Sequence, residues 1–205
     1  NVGWRTFTAT WNGSNAYTLS TTTSIANESV LNAWTGATVA SEAGGGFDGR
    51  VFVAGLATQQ GAVWHYELAL QNRDNLGGLD GLRIPLTPGA VINGAGMLDI
   101  DSNPLNDWTA AVVGNELVFT GSGNPLAWNT IYNVWFDSDA SPASAFVAVE
   151  QASGFGDILV GALPTPSGAL AAPGVAYCTA GTSAAGCAAL MSAAGIPSAT
   201  LAAGF

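Results

Sequence analysis

Lysine is absent from this chain of 205 residues, its basic side chains are four arginines and one histidine, and charged residues make up only 9% of it. An ordinary soluble domain carries about 25%. Each shortage excludes something. Without clusters of Lys and Arg, and with a net charge of -10, the chain lacks the means to hold nucleic-acid phosphates or an anionic membrane surface. Without Lys there is no amine for Schiff-base chemistry. No run of 18 apolar residues occurs, which argues against membrane insertion as a helix, and the first residues lack the basic-then-apolar pattern of a signal peptide. The chain therefore reads as a mature or excised fragment. A single histidine, His65, confines any histidine-dependent acid–base chemistry to one position. The only cysteines are Cys178 and Cys187, with no histidine near them. That suits zinc poorly and points to a local disulfide formed in an oxidising compartment, worth about 2.7 kcal/mol for a ten-residue loop on the chain-entropy model.

What is present is a β pattern. Val63 to Asn72 alternates with period two, setting Trp64, Tyr66, Leu68 and Leu70 on one face against His65, Glu67 and Gln71 on the other. Such a face needs a partner of similar size, and Ile131 to Phe136 offers one. Arg5 to Trp11 alternates apolar residues with Thr6, Thr8 and Thr10, then meets the turn Asn12-Gly13-Ser14, after which Tyr17 to Ser24 can return. Arg50 to Ala57, Leu82 to Leu86, Val91 to Asp101, Ala145 to Gln151 and Asp157 to Leu163 read as further strands. Trp108 to Val113 and Glu116 to Thr120 flank Gly114-Asn115, a two-residue hairpin turn. Trp64, Trp108, Trp128 and Trp135 fall in strands or at strand ends and are expected in the core, and Ala26 to Trp34 is the one stretch with helical character. Short strands near ten-residue spacing imply an all-β, two-sheet antiparallel sandwich of about eight to ten strands, Ig-like or jelly-roll-like.

This sandwich is expected over residues 1–163. A linker rich in Pro, Gly and Ala follows over 164–176, then a small disulfide-stapled segment over 177–205, too short to bury a core alone. Certain residues carry a resemblance: Tyr66-Glu67, Ala69-Leu70 and Asn72; Pro88-Gly89; Asp99 with Asp101; Asp107-Trp108-Thr109; and Asn124-Pro125 followed by Trp128, Thr130, Tyr132-Asn133, Phe136 and Asp139. Tyr177-Cys178-Thr179, Gly186-Cys187 and Gly195 with Pro197-Ser198-Ala199 carry a second one. Over about half its length the chain resembles large, mostly uncharacterised secreted bacterial surface or matrix proteins, in which a β-sandwich module precedes a module opening with two cysteines. The resemblance implies secretion and a surface or matrix role, and brings no catalytic residues.

Three sets of residues invite chemistry. Asp99, Asp101, Asn103 and Asp107 supply hard oxygen ligands at close spacing, which suits calcium, although the run lacks the Gly and Glu of an EF-hand loop. Asp and Asn also fill turns for local reasons, by capping backbone groups. His65 with Glu67 could serve hydrolysis, but no Gly-x-Ser-x-Gly elbow accompanies them. Seven tryptophans raise a sugar-binding reading, with Trp4, Trp11 and Trp34 in the weakly patterned first third as the candidates for exposure.

Low charge, abundant Thr, Asn, Gly and Ala, and a tail too small to fold alone favour a structural protein over an enzyme. The expectation is an extracellular or cell-surface subunit that forms homo-oligomers or polymers of a layer, matrix or filament, by donating the N-terminal strand or the C-terminal segment to a neighbouring copy. The alternative is a carbohydrate-binding accessory module of a secreted enzyme, with polysaccharide as partner. No cofactor is expected other than calcium.

Overall fold

The structure, a computed structural model, describes residues 4–21, 25, 26, 28–44, 49–121, 123–152, 154 and 156–169. Cys178, Cys187, the segment 177–205 and the linker beyond residue 169 lie outside the described residues. Among the described residues twelve strands run in order: β1 (Phe7–Trp11), β2 (Tyr17–Thr21), β3 (Thr38–Gly44), β4 (Gly49–Gln60), β5 (Val63–Asn72), β6 (Leu79–Pro85), β7 (Ile92–Leu98), β8 (Thr109–Val113), β9 (Glu116–Thr120), β10 (Thr130–Ser138), β11 (Ala143–Gln151) and β12 (Asp157–Thr165). Ten of them form two wholly antiparallel five-stranded sheets, in the orders β3-β4-β5-β10-β7 and β12-β11-β6-β9-β8. The fold is the all-β sandwich that the alternation implies.

The central strand behaves as its pattern requires. Tyr66, Leu68 and Leu70 of β5 are buried, and β10 lies antiparallel beside it with Phe136 opposite Tyr66, Val134 opposite Leu68 and Tyr132 opposite Leu70. The Tyr66 and Phe136 rings stack with centroids 5.0 Å apart, and the Tyr66 hydroxyl donates to the Ala140 carbonyl at 2.7 Å. Burial pushes that hydroxyl far above its ordinary pKa. From the facing sheet come Leu82, Ile84, Leu117, Phe119, Val147 and Val149, all buried in the same cluster. Pro85 ends β6, the central strand of its sheet. Ladder pairing of β6 with β11 stops at Arg83, so the missing N–H of Pro85 leaves no rung empty on that side.

Two devices depart from simple alternation. In β12, Ala162 adopts φ 61° and the register to β11 shifts between Ala145 and Val147. This bulge lets Ile158 and Val160 point inward before it and Leu163 after it, and carries the strand on to Thr165. At one end of the sandwich a buried amide network joins the sheets: Asn72 donates to the carbonyls of Asn75 and Leu126, the Asn75 backbone N–H donates to Asn72 Oδ1, and Asn75 Nδ2 donates to Gln151 Oε1 at 2.9 Å.

One expectation for the first 37 residues is corrected. The stretch 26–34 holds a single turn of 3-10 helix, Val30–Ala33, rather than an α-helix. Its start is capped by Ser29, whose hydroxyl accepts from Leu31 N and donates to the buried Gln71 Oε1 at 2.6 Å. Leu31 packs on Ala54 and Ala69, so this turn covers part of the outer face of the β5 sheet. The antiparallel return of β2 onto β1 is as expected, and among the described residues the two strands join neither five-stranded sheet. They pair only with each other, around a turn in which Asn12 Oδ1 accepts from Ser14, Asn15 and Ala16 backbone N–H groups.

Candidate functional site

Because side chains alternate across a strand, the residues of β5 and β10 that are not in the core share the outer face of their sheet. The ladder pairs them: His65 with Asp137, Glu67 with Trp135, Ala69 with Asn133 and Gln71 with Ile131. β7 continues the row, with Gly96 opposite Trp135 and Leu98 opposite Asn133. Beside the 3-10 turn, this face holds a groove of about 380 Å³. The turn contributes Val30, Leu31 and Trp34 to it, β5 contributes Glu67 and Ala69, and β7 and β10 contribute Leu98, Ile131, Asn133 and Trp135.

The position of Trp135 depends on a glycine. A Cβ on Gly96 would lie 2.7 Å from Trp135 Cζ2 and 2.9 Å from Cε2, so the indole rests directly on the β7 backbone. Trp34 is held from the other direction, since its N–H donates to the Leu31 carbonyl at 3.0 Å and its turn is tied to β5 through Ser29 and Gln71. The polar groups are arranged with equal economy. His65 Nδ1 lies 2.7 Å from Asp137 Oδ1, which places the ring proton on Nδ1 toward the carboxylate, and Nε2 lies 3.7 Å from Glu67 Oε1. Among the described residues neither Glu67 nor Asn133 makes a side-chain hydrogen bond; Asn133 has no polar partner, and Glu67, which faces His65 across 3.7 Å through Oε1, keeps a half-exposed carboxylate that can accept from a ligand.

The candidates named from sequence fall in different places. Trp34 lines the groove together with Trp135, which is expected in the core but lies on the outer face opposite Glu67. Trp11 is exposed on the hairpin, 5.0 Å from Tyr17 between ring centroids, and Trp4 is half-buried where its backbone bridges Ala26. Trp128, also expected in the core, is 60% exposed, whereas Trp108 is buried and donates through Nε1 to the Asn124 carbonyl. A further signal was open to reading: Asn133 and Asp137 share the period-two face of Trp135, and two polar neighbours mark that face as the outer one.

Asp99, Asp101 and Asn103 lie along the loop between β7 and β8 as successive Asx turns. Asp99 Oδ1 accepts from Asp101 N at 2.8 Å, Asp101 Oδ1 from Asn103 N at 2.6 Å, and Asn103 Oδ1 from Leu105 N at 3.3 Å. Asp99 Oδ2 accepts from Asn124 Nδ2, and Asp107 closes the loop before β8. Among the described residues no group of three or more His, Cys, Asp or Glu is gathered where it could hold a metal ion. The same carboxylates, after burial itself, raise the pKa of the Tyr132 hydroxyl nearby.

The hairpin is the second exposed feature. Its register puts Phe7, Ala9, Trp11, Tyr17 and Leu19 on one face and Thr8, Thr10, Thr18 and Ser20 on the other. Every strand residue is exposed, with Phe7 at 60%, Tyr17 at 65% and Leu19 at 63%. No protein-family model matches the chain, and no curated protein is significantly similar to it.

Proposed function

We propose that this chain is an extracellular structural protein, a self-assembling subunit of a surface layer, matrix or filament, whose copies join through the N-terminal hairpin. One observation carries the reading: the β1–β2 hairpin displays an apolar face of three aromatic residues and a leucine, Phe7, Trp11, Tyr17 and Leu19, all exposed. A two-stranded hairpin alone is marginally stable in water. Covering that face against another copy would remove its apolar area from water at about 25 cal/mol per Å². The N-terminal strand, the candidate donor, is not used by either sheet, and the outer side of β8 is an edge with exposed Val112 and Val113. Strand addition at that edge would satisfy the unpaired backbone groups of both. Charged residues are only 9% of the chain, so copies approach with few ionic groups to desolvate, and burial of the hairpin face has to outweigh the repulsion of a net charge of -10. The resemblance to secreted surface proteins supports the same setting.

The test is assembly of the full chain, followed by light scattering and negative-stain microscopy over a range of concentrations. Regular particles or filaments are expected. The combined variant Phe7→Thr, Trp11→Thr, Tyr17→Thr and Leu19→Thr should remain monomeric with the melting temperature of the sandwich unchanged. A full chain that stays monomeric, or a variant that assembles as well as the parent, overturns the reading. Assembly lost only on removing residues 177–205 would transfer the donor role to the C-terminal segment.

A further inference from the structure

We propose that the groove lined by Trp34 and Trp135 binds a neutral sugar ring of a polysaccharide. The assignment rests on the groove alone and is independent of assembly through the hairpin. A pyranose has apolar C–H faces and a rim of hydroxyls, each of which both donates and accepts. The groove offers the counterpart of both: two indoles for the faces, and for the rim a carboxylate, Glu67, and an amide, Asn133, neither of them hydrogen-bonded among the described residues. Its volume of about 380 Å³ falls in the range of small-ligand sites, about 300–1,000 Å³, and suits a mono- or disaccharide unit.

Charge narrows the choice. None of the four arginines lines the groove, while Glu67 does and Asp137 stands two rungs of the ladder along, so a uronate, sulfate or phosphate would meet repulsion without a cation to offset it. An amine would also find the indoles and the carboxylate attractive. Yet an ammonium only donates, leaving the Asn133 N–H₂ unused. A neutral hydroxylated ring uses all four groups. The site is also pre-formed: Gly96 seats Trp135 against the β7 backbone, and the buried Ser29–Gln71 hydrogen bond anchors the turn bearing Trp34. Pre-organisation of this kind lowers the entropy lost on binding.

Native affinity gels containing a soluble β-glucan, xylan, mannan or galactan test this, with hexasaccharides of the retarding polymer titrated by calorimetry. Retardation by at least one neutral polymer is expected. Trp34→Ala and Trp135→Ala should each weaken hexasaccharide binding about tenfold or more, and Glu67→Gln less. Gly96→Ala leaves every lining side chain in place but pushes the Trp135 indole off its seat, so it should weaken binding without unfolding the chain, as far-ultraviolet circular dichroism would register. Trp11→Ala and Trp128→Ala should bind as the parent does. The proposal fails if no neutral polymer retards the chain, if Trp135→Ala and Gly96→Ala bind unchanged, or if pectin or spermine competes better than the neutral hexasaccharide. It fails equally if Trp135→Ala abolishes self-assembly while glycan retardation persists, since the groove would then receive a second copy.

Discussion

Strand β5 and the β1–β2 hairpin carry the same kind of pattern and meet opposite fates. Both alternate large apolar residues with polar ones at period two. In β5 the apolar residues Tyr66, Leu68 and Leu70 are at most 1% exposed; in the hairpin Phe7, Trp11, Tyr17 and Leu19 are between 49% and 65% exposed. The pattern records that a face requires cover, and says nothing about which chain supplies it. For β5 the cover is the second sheet of the same molecule. For the hairpin no described part of the chain supplies it, and the assembly proposal rests on that contrast.

Truncation of a large side chain should separate the two regions most sharply. Phe136→Ala removes the ring stacked on Tyr66 in a fully buried position and should cost about 3–5 kcal/mol by urea denaturation. A loss below 1 kcal/mol would mean that the interface between β5 and β10 is looser than its burial indicates. The amide network comes next. Asn75→Ala leaves Gln151 Oε1 and the Gly77 N–H without their partner, and about 1–3 kcal/mol should be lost.

Alkaline pH probes the same core by a different route. A tyrosine whose folded pKa is raised above its unfolded value stabilises the fold fully below the unfolded value, and the contribution is lost as pH climbs toward the folded one. Tyr66 and Tyr132 are both shifted upward by burial. Stability should therefore decline above about pH 10, by at most about 1.4 kcal/mol per pH unit for each of the two. Tyr66→Phe should make that decline shallower. The same decline in that variant as in the parent would show that Tyr66 ionises without unfolding. Least of all should happen on the hairpin: Leu19→Ala is expected to change monomer stability by less than about 0.5 kcal/mol, measured at a concentration below assembly. A change comparable to that of Phe136→Ala would mean that the hairpin packs on the sandwich in solution.

Much of the sandwich was legible because period-two alternation and turn chemistry are local. β5 begins and ends where its alternation does, the β8–β9 hairpin turns at Gly114-Asn115, and β10 lies beside β5 as matched apolar faces required. The groove was less legible. Both faces of β10 carry large residues, Ile131 and Trp135 on one and Tyr132, Val134 and Phe136 on the other, so composition does not say which is inside. Trp34 was a candidate from its position in a weakly patterned stretch, but its companion Trp135 comes from 101 residues further along the chain. The amides Asn72 and Asn75 look like ordinary turn residues until Gln151 is brought to them. Asp99, Asp101 and Asn103 offered calcium and turn readings at once, and the backbone geometry of their loop uses their oxygens as caps.

The sequence by itself determined where most of the strands run, though not β3 (Thr38–Gly44), how sparsely the surface is charged and where the tight turns fall, because dihedral preferences, net charge and glycine placement act over a few residues. Tertiary structure alone decided which face of β10 is the inner one, that β1 and β2 stay outside both sheets, and that two tryptophans far apart in the chain share one groove. The reason is that alternation creates two faces without ranking them. Only the approach of a second, distant segment makes one of them dry.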